Sequence, residues 1–170
     1  TGEDTLSLHD ALPIFDSQTL TTERTAATNA EGHLRAAEEK ALAHDDTGIY
    51  VAARVRDERM IRTRRPGDSE DVLVLTVVTP GDDGPEAVEF WLYAGVEGES
   101  AAVALVGEPG GRPRAARGAR ILEAAVSGGY ELEAFLPVAL VPNPRRLSAM
   151  RAAVRLVDVD VTAAVRLAAV

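Results

Sequence analysis

The ten residues Gly48–Asp57, GIYVAARVRD, alternate in character with a period of two. Ile49, Val51, Ala53 and Val55 fall on one side of an extended chain. Tyr50, Ala52, Arg54 and Arg56 fall on the other. A helix cannot use that period, because its faces repeat every 3.6 residues. The stretch is therefore a strand with one dry and one wet face, and it must pack its dry face against a second layer. Val72–Val78 is apolar on both faces, which predicts a strand in the interior of a sheet.

Similar segments recur to the C-terminus. Val88, Phe90 and Leu92 alternate with Glu89, Trp91 and Tyr93, and Ser100–Val106 reads as a further strand. Ala119–Val126 and Tyr130–Leu136 form a predicted hairpin across Ser127-Gly128-Gly129. Its second arm turns Tyr130, Leu132, Ala134 and Leu136 inward and Glu131 and Glu133 outward. Arg151–Val159 and Thr162–Val170 read as two closing strands. Leu34–His44 has helix-favouring Ala, Glu and Leu, but the Asp45-Asp46-Thr47-Gly48 turn beyond it favours a hairpin into the Ile49 strand. Asp16–Gly32 is polar and reads as a loop or irregular edge. Eight or nine short strands at regular spacing, with no helix beyond about two turns after residue 60, predict an all-β antiparallel β-sandwich of the jelly-roll type. One such domain spans residues 16–170, a length that buries a sizeable core.

Residues 7–14, SLHDALPI, resemble the translation of a sequencing adapter, so residues 1–15 are set apart as a non-native or disordered segment. His9 and Asp10 are for that reason not assigned to any site. The chain opens on Thr1 without an initiator Met and without a signal peptide, which reads as a processed or truncated start.

Composition narrows the function classes. Formal net charge is -9, which disfavours a nucleic-acid backbone as partner. There is no cysteine, hence no disulfide, thiolate nucleophile or cysteine metal site. No apolar run reaches membrane-spanning length. No serine elbow, phosphate loop or histidine metal motif is present. Glu131 and Glu133 could be read as paired glycosidase carboxylates, but alternating outward glutamates are also the wet surface of any sheet.

Four stretches in order resemble the carbohydrate-binding module family 9-like domain, a jelly-roll module. They are Gly48–Asp57, Asp68-Ser69-Glu70-Asp71, Gly129–Pro137 (GYELEAFLP) and Arg155–Asp160 (RLVDVD). The resemblance runs from about Arg35 to Val170. It implies a non-catalytic carbohydrate-binding module, an accessory part of a larger secreted, periplasmic or outer-envelope bacterial protein. A glycan or cell-wall polysaccharide is the implied partner. The alternative is a structural or protein-interaction sandwich that has lost sugar binding. The family's tryptophan after the hairpin proline is Val138 here, and the chain has one Trp in total, so the family's two-tryptophan sugar clamp is not available.

The remaining platform for a sugar is Trp91 and Tyr93, with Glu89 on the same face to take hydroxyls. A jelly roll also buries an aromatic on each sheet's inner face, and a core role for Trp91 is the preferred reading. Family members often carry structural calcium, and calcium needs several converging hard oxygens. Asp57, Asp68, Asp71, Asp158 and Asp160 are the candidate ligands, with Asp45, Asp46 and Glu70 in the same acidic loops. The bland reading is a solvated acidic rim. A third class, the haem-binding subunits of ethylbenzene-dehydrogenase type, resembles the fold and uses Lys and Met as axial ligands. Lys40 is the only lysine, and Met60 and Met150 are the only methionines.

Overall fold

The computed structural model describes residues 20–28, 34–57, 60–64, 66–67, 70–96 and 98–159, with side chains described from Lys40 onward. The N-terminal segment, Asp68, Asp160 and the expected strand at Thr162–Val170 lie outside the described residues.

Among the described residues, ten strands form two five-stranded antiparallel sheets. The first sheet has the order β1-β2-β3-β9-β8, with β1 Leu20–Thr28, β2 Leu34–His44, β3 Gly48–Asp57, β8 Arg120–Val126 and β9 Gly129–Pro137. The second has the order β10-β4-β5-β6-β7, with β4 Val72–Pro80, β5 Pro85–Tyr93, β6 Val103–Gly107, β7 Arg114–Ala115 and β10 Arg151–Val157. The helical elements among the described residues are two 3-10 segments, Val138–Leu140 and Pro144–Ala149. No helix there is long and apolar enough to cross a membrane.

The alternation in β3 is realised as expected. Ile49, Val51, Ala53 and Val55 are at most 1% exposed, and they share one core with Leu73, Leu75, Phe90, Leu92, Tyr130, Leu132 and Leu136 from both sheets. Arg56 is exposed, and Arg54 is half-buried against Glu131. Ala52 is the exception on the outward side. It is buried, with Ala41 of β2 and Glu133 of β9 opposite it and Tyr50 and Arg54 on either side along its own strand.

Leu34–His44 is a strand, paired to β3 with Leu42 opposite Val51 and His44 opposite Ile49. The polar Asp16–Gly32 stretch holds a strand where a loop or irregular edge was expected: Leu20–Thr28 pairs antiparallel with β2. Backbone pairing at an edge needs no apolar alternation, only residues tolerant of extended geometry, and the threonines of β1 supply that. The Ser127-Gly128 turn closes the β8–β9 hairpin with Gly128 at φ +71. Gly129 follows because β9 passes so close to β3 that a Cβ there would lie 1.9 Å from the Val55 carbonyl oxygen.

Candidate functional site

β3, β4 and β10 end or begin together at one end of the two sheets. β3 finishes at Asp57, Asp71 precedes β4, and Asp158 follows β10. Their carboxylate oxygens lie within 4.8 Å of one another, with Asp57 and Asp71 buried and Asp158 half-buried. Three of the five aspartates expected as metal ligands therefore meet at one point. The other two, Asp68 and Asp160, lie outside the described residues.

Local hydrogen bonding holds this arrangement. The Asp57 N–H donates to the Gly128 carbonyl at 2.9 Å, which fixes the end of β3 against the hairpin turn. The Asp71 carboxylate accepts from the Ile61 N–H at 2.5 Å and from the Val159 N–H at 3.0 Å. One side chain thus ties the loop after β3 to the chain leaving β10. The preceding residue, Glu70, is 2% exposed and organises the same loop. It accepts from the Thr63 N–H at 3.0 Å, the Thr63 hydroxyl at 3.1 Å and the Gly67 N–H at 2.6 Å. A loop this charged stays folded because its donors point at two buried carboxylates.

The donor set suits a hard cation. An ion centred between three oxygens spaced this way sits within about 2.8 Å of each, close to the calcium–oxygen range. Carboxylates with loop carbonyls and water complete the usual six to eight ligands.

Beneath the triad lies Tyr130, 1% exposed, whose hydroxyl makes no hydrogen bond among the described residues. Burial pushes its phenol well up, with Arg62 opposing and the carboxylates of Asp71, Glu123 and Asp57 adding to the rise. The Arg62 guanidinium stacks 4.6 Å from the Tyr130 ring centre. It pairs with Glu123 at 2.6 Å and donates to the Gly95 carbonyl at 2.9 Å, while the Gly95 N–H donates to Glu123 at 2.5 Å. Residue-by-residue reading of the sequence missed this bridge. A signal was present: Glu123 lies two residues from Ile121, so on a strand it shares the inward side.

Asp45 and Asp46 sit at the opposite end of β3 and do not join the triad. Asp45 is a turn residue: it accepts from the N–H groups of Thr47 (2.8 Å) and Gly48 (3.1 Å) and from the hydroxyls of Thr47 (2.6 Å) and Tyr50 (3.1 Å). Burial raises its carboxyl, but the hydrogen bonds from Thr47, Gly48 and Tyr50 together outweigh it and hold the group below its ordinary value.

Glu89, Trp91 and Tyr93 share the outward face of the second sheet. Trp91 is half-buried and packs with Tyr93 on Val72, Val74, Leu105 and Val157. Tyr93 is only 5% exposed. Glu89 accepts from the Thr76 hydroxyl at 3.2 Å and lies 3.6 Å from Arg155. This cluster explains why β4 is apolar on both faces: its outward valines lie beneath the two aromatics.

The first sheet carries a second aromatic pair outward. Tyr50 and Phe135 are register partners with ring centres 5.2 Å apart, and Arg120 stands 4.9 Å over the Phe135 ring. Along the same face Glu131 takes a 2.6 Å hydrogen bond from Arg54. Burial, then the neighbouring Glu131 charge, raises the Glu133 carboxyl. Of the residues considered for haem, Lys40 is buried and donates to the Val154 carbonyl across the two sheets. Met60 follows the end of β3 and Met150 precedes β10, so the two lie at opposite ends of the fold.

No family model matches this chain, and no curated protein or solved structure matches it.

Proposed function

We propose that this chain is a non-catalytic carbohydrate-binding module of the family 9-like jelly-roll kind, clipped by a structural calcium ion at Asp57, Asp71 and Asp158. Its setting is an accessory domain of a larger secreted or envelope-associated bacterial protein. The observation that carries the reading is the convergence of the three aspartates. Each lies in a different stretch of the family resemblance, separated by many residues, yet their oxygens come within 4.8 Å. The chain also crosses between sheets after β3, β7 and β9, as a two-sheet roll requires. The outward glutamates Glu131 and Glu133 sit on an open sheet face, with Glu131 committed to Arg54, an arrangement suited to a surface and not to acid–base work.

A second reading is a structural or protein-interaction sandwich without sugar affinity. The near-complete burial of Tyr93 against aliphatic side chains favours it, because a stacking platform must be accessible. Glycan-array and calorimetric screening against neutral glucans, xylans and peptidoglycan fragments, with calcium and with chelator, separates the two. Saccharide binding is expected. Failure to bind any glycan in either condition would overturn the carbohydrate reading in favour of the second.

A further inference from the structure

We propose that the outer edge of β8 is a self-association surface, where two copies of this chain pair β8 with β8, antiparallel and centred on Leu122, into one continuous sheet. The contact requires neither a saccharide nor calcium.

β8 is the last strand of the first sheet, and no strand among the described residues lies on its far side. Val126 and Gly129 flank the two-residue turn and are register partners, so they exchange backbone hydrogen bonds. Alternation along the pair then turns the N–H and C=O groups of Arg120, Leu122 and Ala124 toward β9 as well. Those of Ile121, Glu123 and Ala125 point away from β9, along the outer edge. The side chains above and below this edge are bare: Arg120, Leu122 and Ala124 are exposed on the outward face, and Ala125 is exposed on the inward one. Leu122 is 71% exposed, the most of any large apolar side chain among the described residues.

Two other sheet edges with described side chains are guarded. β7 is two residues long and follows Pro113. β10 carries exposed Arg151 and Arg155, and the Lys40 ammonium is buried against it on the Val154 carbonyl. Short strands, prolines and inward lysines are devices that keep an edge from pairing. β8 has seven residues, no proline and no lysine. Its one inward charge, Glu123, is met by Arg62 and the Gly95 N–H within the same chain.

A second copy matches this edge. With Leu122 on the two-fold axis, Ile121 lies opposite the partner's Glu123, and the symmetric pairs exchange about four backbone hydrogen bonds. Glu123 does not meet its own copy. Leu122 meets the partner's Leu122 in the closer, non-hydrogen-bonded position, which covers both. Arg120 falls opposite the partner's Ala124, whose neighbour on β9 is Glu131. Two strand spacings, roughly 10 Å, separate Arg120 from that glutamate, within reach of an arginine lying over an alanine. Each copy therefore brings a guanidinium to the outward carboxylates Glu131 and Glu133 of the other. Stacking on Phe135 uses the face of Arg120 and leaves its N–H donors at the rim. Such an isologous contact closes at two copies. One strand pair buries less than about 1,200 Å², so the dimer is a weak one.

The test is sedimentation velocity on the full chain from about 5 to about 500 µM, with amide hydrogen exchange followed by NMR at both ends of that range. A concentration-dependent shift to twice the monomer mass is expected. The Ile121 and Glu123 amides should gain protection as the dimer forms, while those of Leu122 and Ala124, already turned to β9, should not change. Leu122→Lys is expected to raise the dissociation constant at least about tenfold without lowering Tm, and Arg120→Glu to raise it by a smaller factor. Leu122→Met should keep the dimer. A chain that stays monomeric throughout overturns the proposal. A dimer that survives Leu122→Lys and leaves the Ile121 and Glu123 amides unchanged puts the contact elsewhere and also overturns it. So does a monomer in which those two amides are already protected, because another part of the same chain then covers the edge.

Discussion

Calcium should raise the melting temperature of this protein by several degrees, and Asp158→Asn should abolish the rise. At the 4.8 Å limit of the triad, each pair of like charges repels by about 3.5 kcal/mol at an effective dielectric constant near 20. A divalent cation shared by the three carboxylates would relieve repulsion of this size. A bound divalent cation removes the repulsion in the folded state only, since the unfolded chain does not bring residues 57, 71 and 158 together. At an ion concentration one hundred times its dissociation constant, mass action stabilises by about 2.7 kcal/mol. For a domain of this length that corresponds to a rise in Tm of about 5–10 °C. Differential scanning calorimetry in chelator, in calcium and in magnesium measures it. Asp158 is the residue to change, because Asp71 also holds two backbone N–H groups and its loss would unfold the loop for a separate reason. Superimposable scans of the unaltered protein in chelator and in calcium would falsify the argument. An equal calcium response in Asp158→Asn would place the ion elsewhere.

Three further outcomes follow from named contacts. Tyr130→Phe should stabilise the protein by about 1 kcal/mol in urea unfolding, because it removes a buried hydroxyl that makes no hydrogen bond among the described residues; destabilisation would show that the hydroxyl has a partner. Arg62→Ala and Glu123→Ala should each cost about 2–3 kcal/mol, and a double-mutant cycle should give a coupling of about 1 kcal/mol or more, since both side chains are mostly buried and share Gly95; additive effects would refute the bridge. Asp45→Ala should destabilise at neutral pH and lose its effect in acid. The depressed carboxyl contributes stability that is complete above its unfolded value and lost as pH falls through the folded one, so a penalty unchanged at low pH would contradict the turn geometry.

The parts of this fold that could be read in the sequence are those where one strand carries its own evidence. In β3 the alternation of Ile49, Val51, Ala53 and Val55 states both the element and its buried side, and their exposures of 1% or less agree. β4 needed a tertiary fact. Its two apolar faces identify an interior strand, but only the position of Trp91 and Tyr93 shows why Val72 and Val74 are dry on the outward side. β1 was not legible, because an edge strand is held by the backbone of its neighbour and its side chains need no pattern. The acidic residues show the same limit more sharply. Asp45 and Asp57 flank β3 at its two ends, each in an acidic loop. What separates them is which other chain ends arrive nearby. At Asp45 the neighbours are the N–H and hydroxyl donors of its own turn, so its charge is met locally. At Asp57 the neighbours are two more carboxylates, delivered by the start of β4 and the end of β10. Convergence of like charge from three remote segments is costly unless something positive is shared among them. On the proposed calcium reading, convergence from remote segments, and not the number of acidic residues, is what would separate a site from an acidic rim.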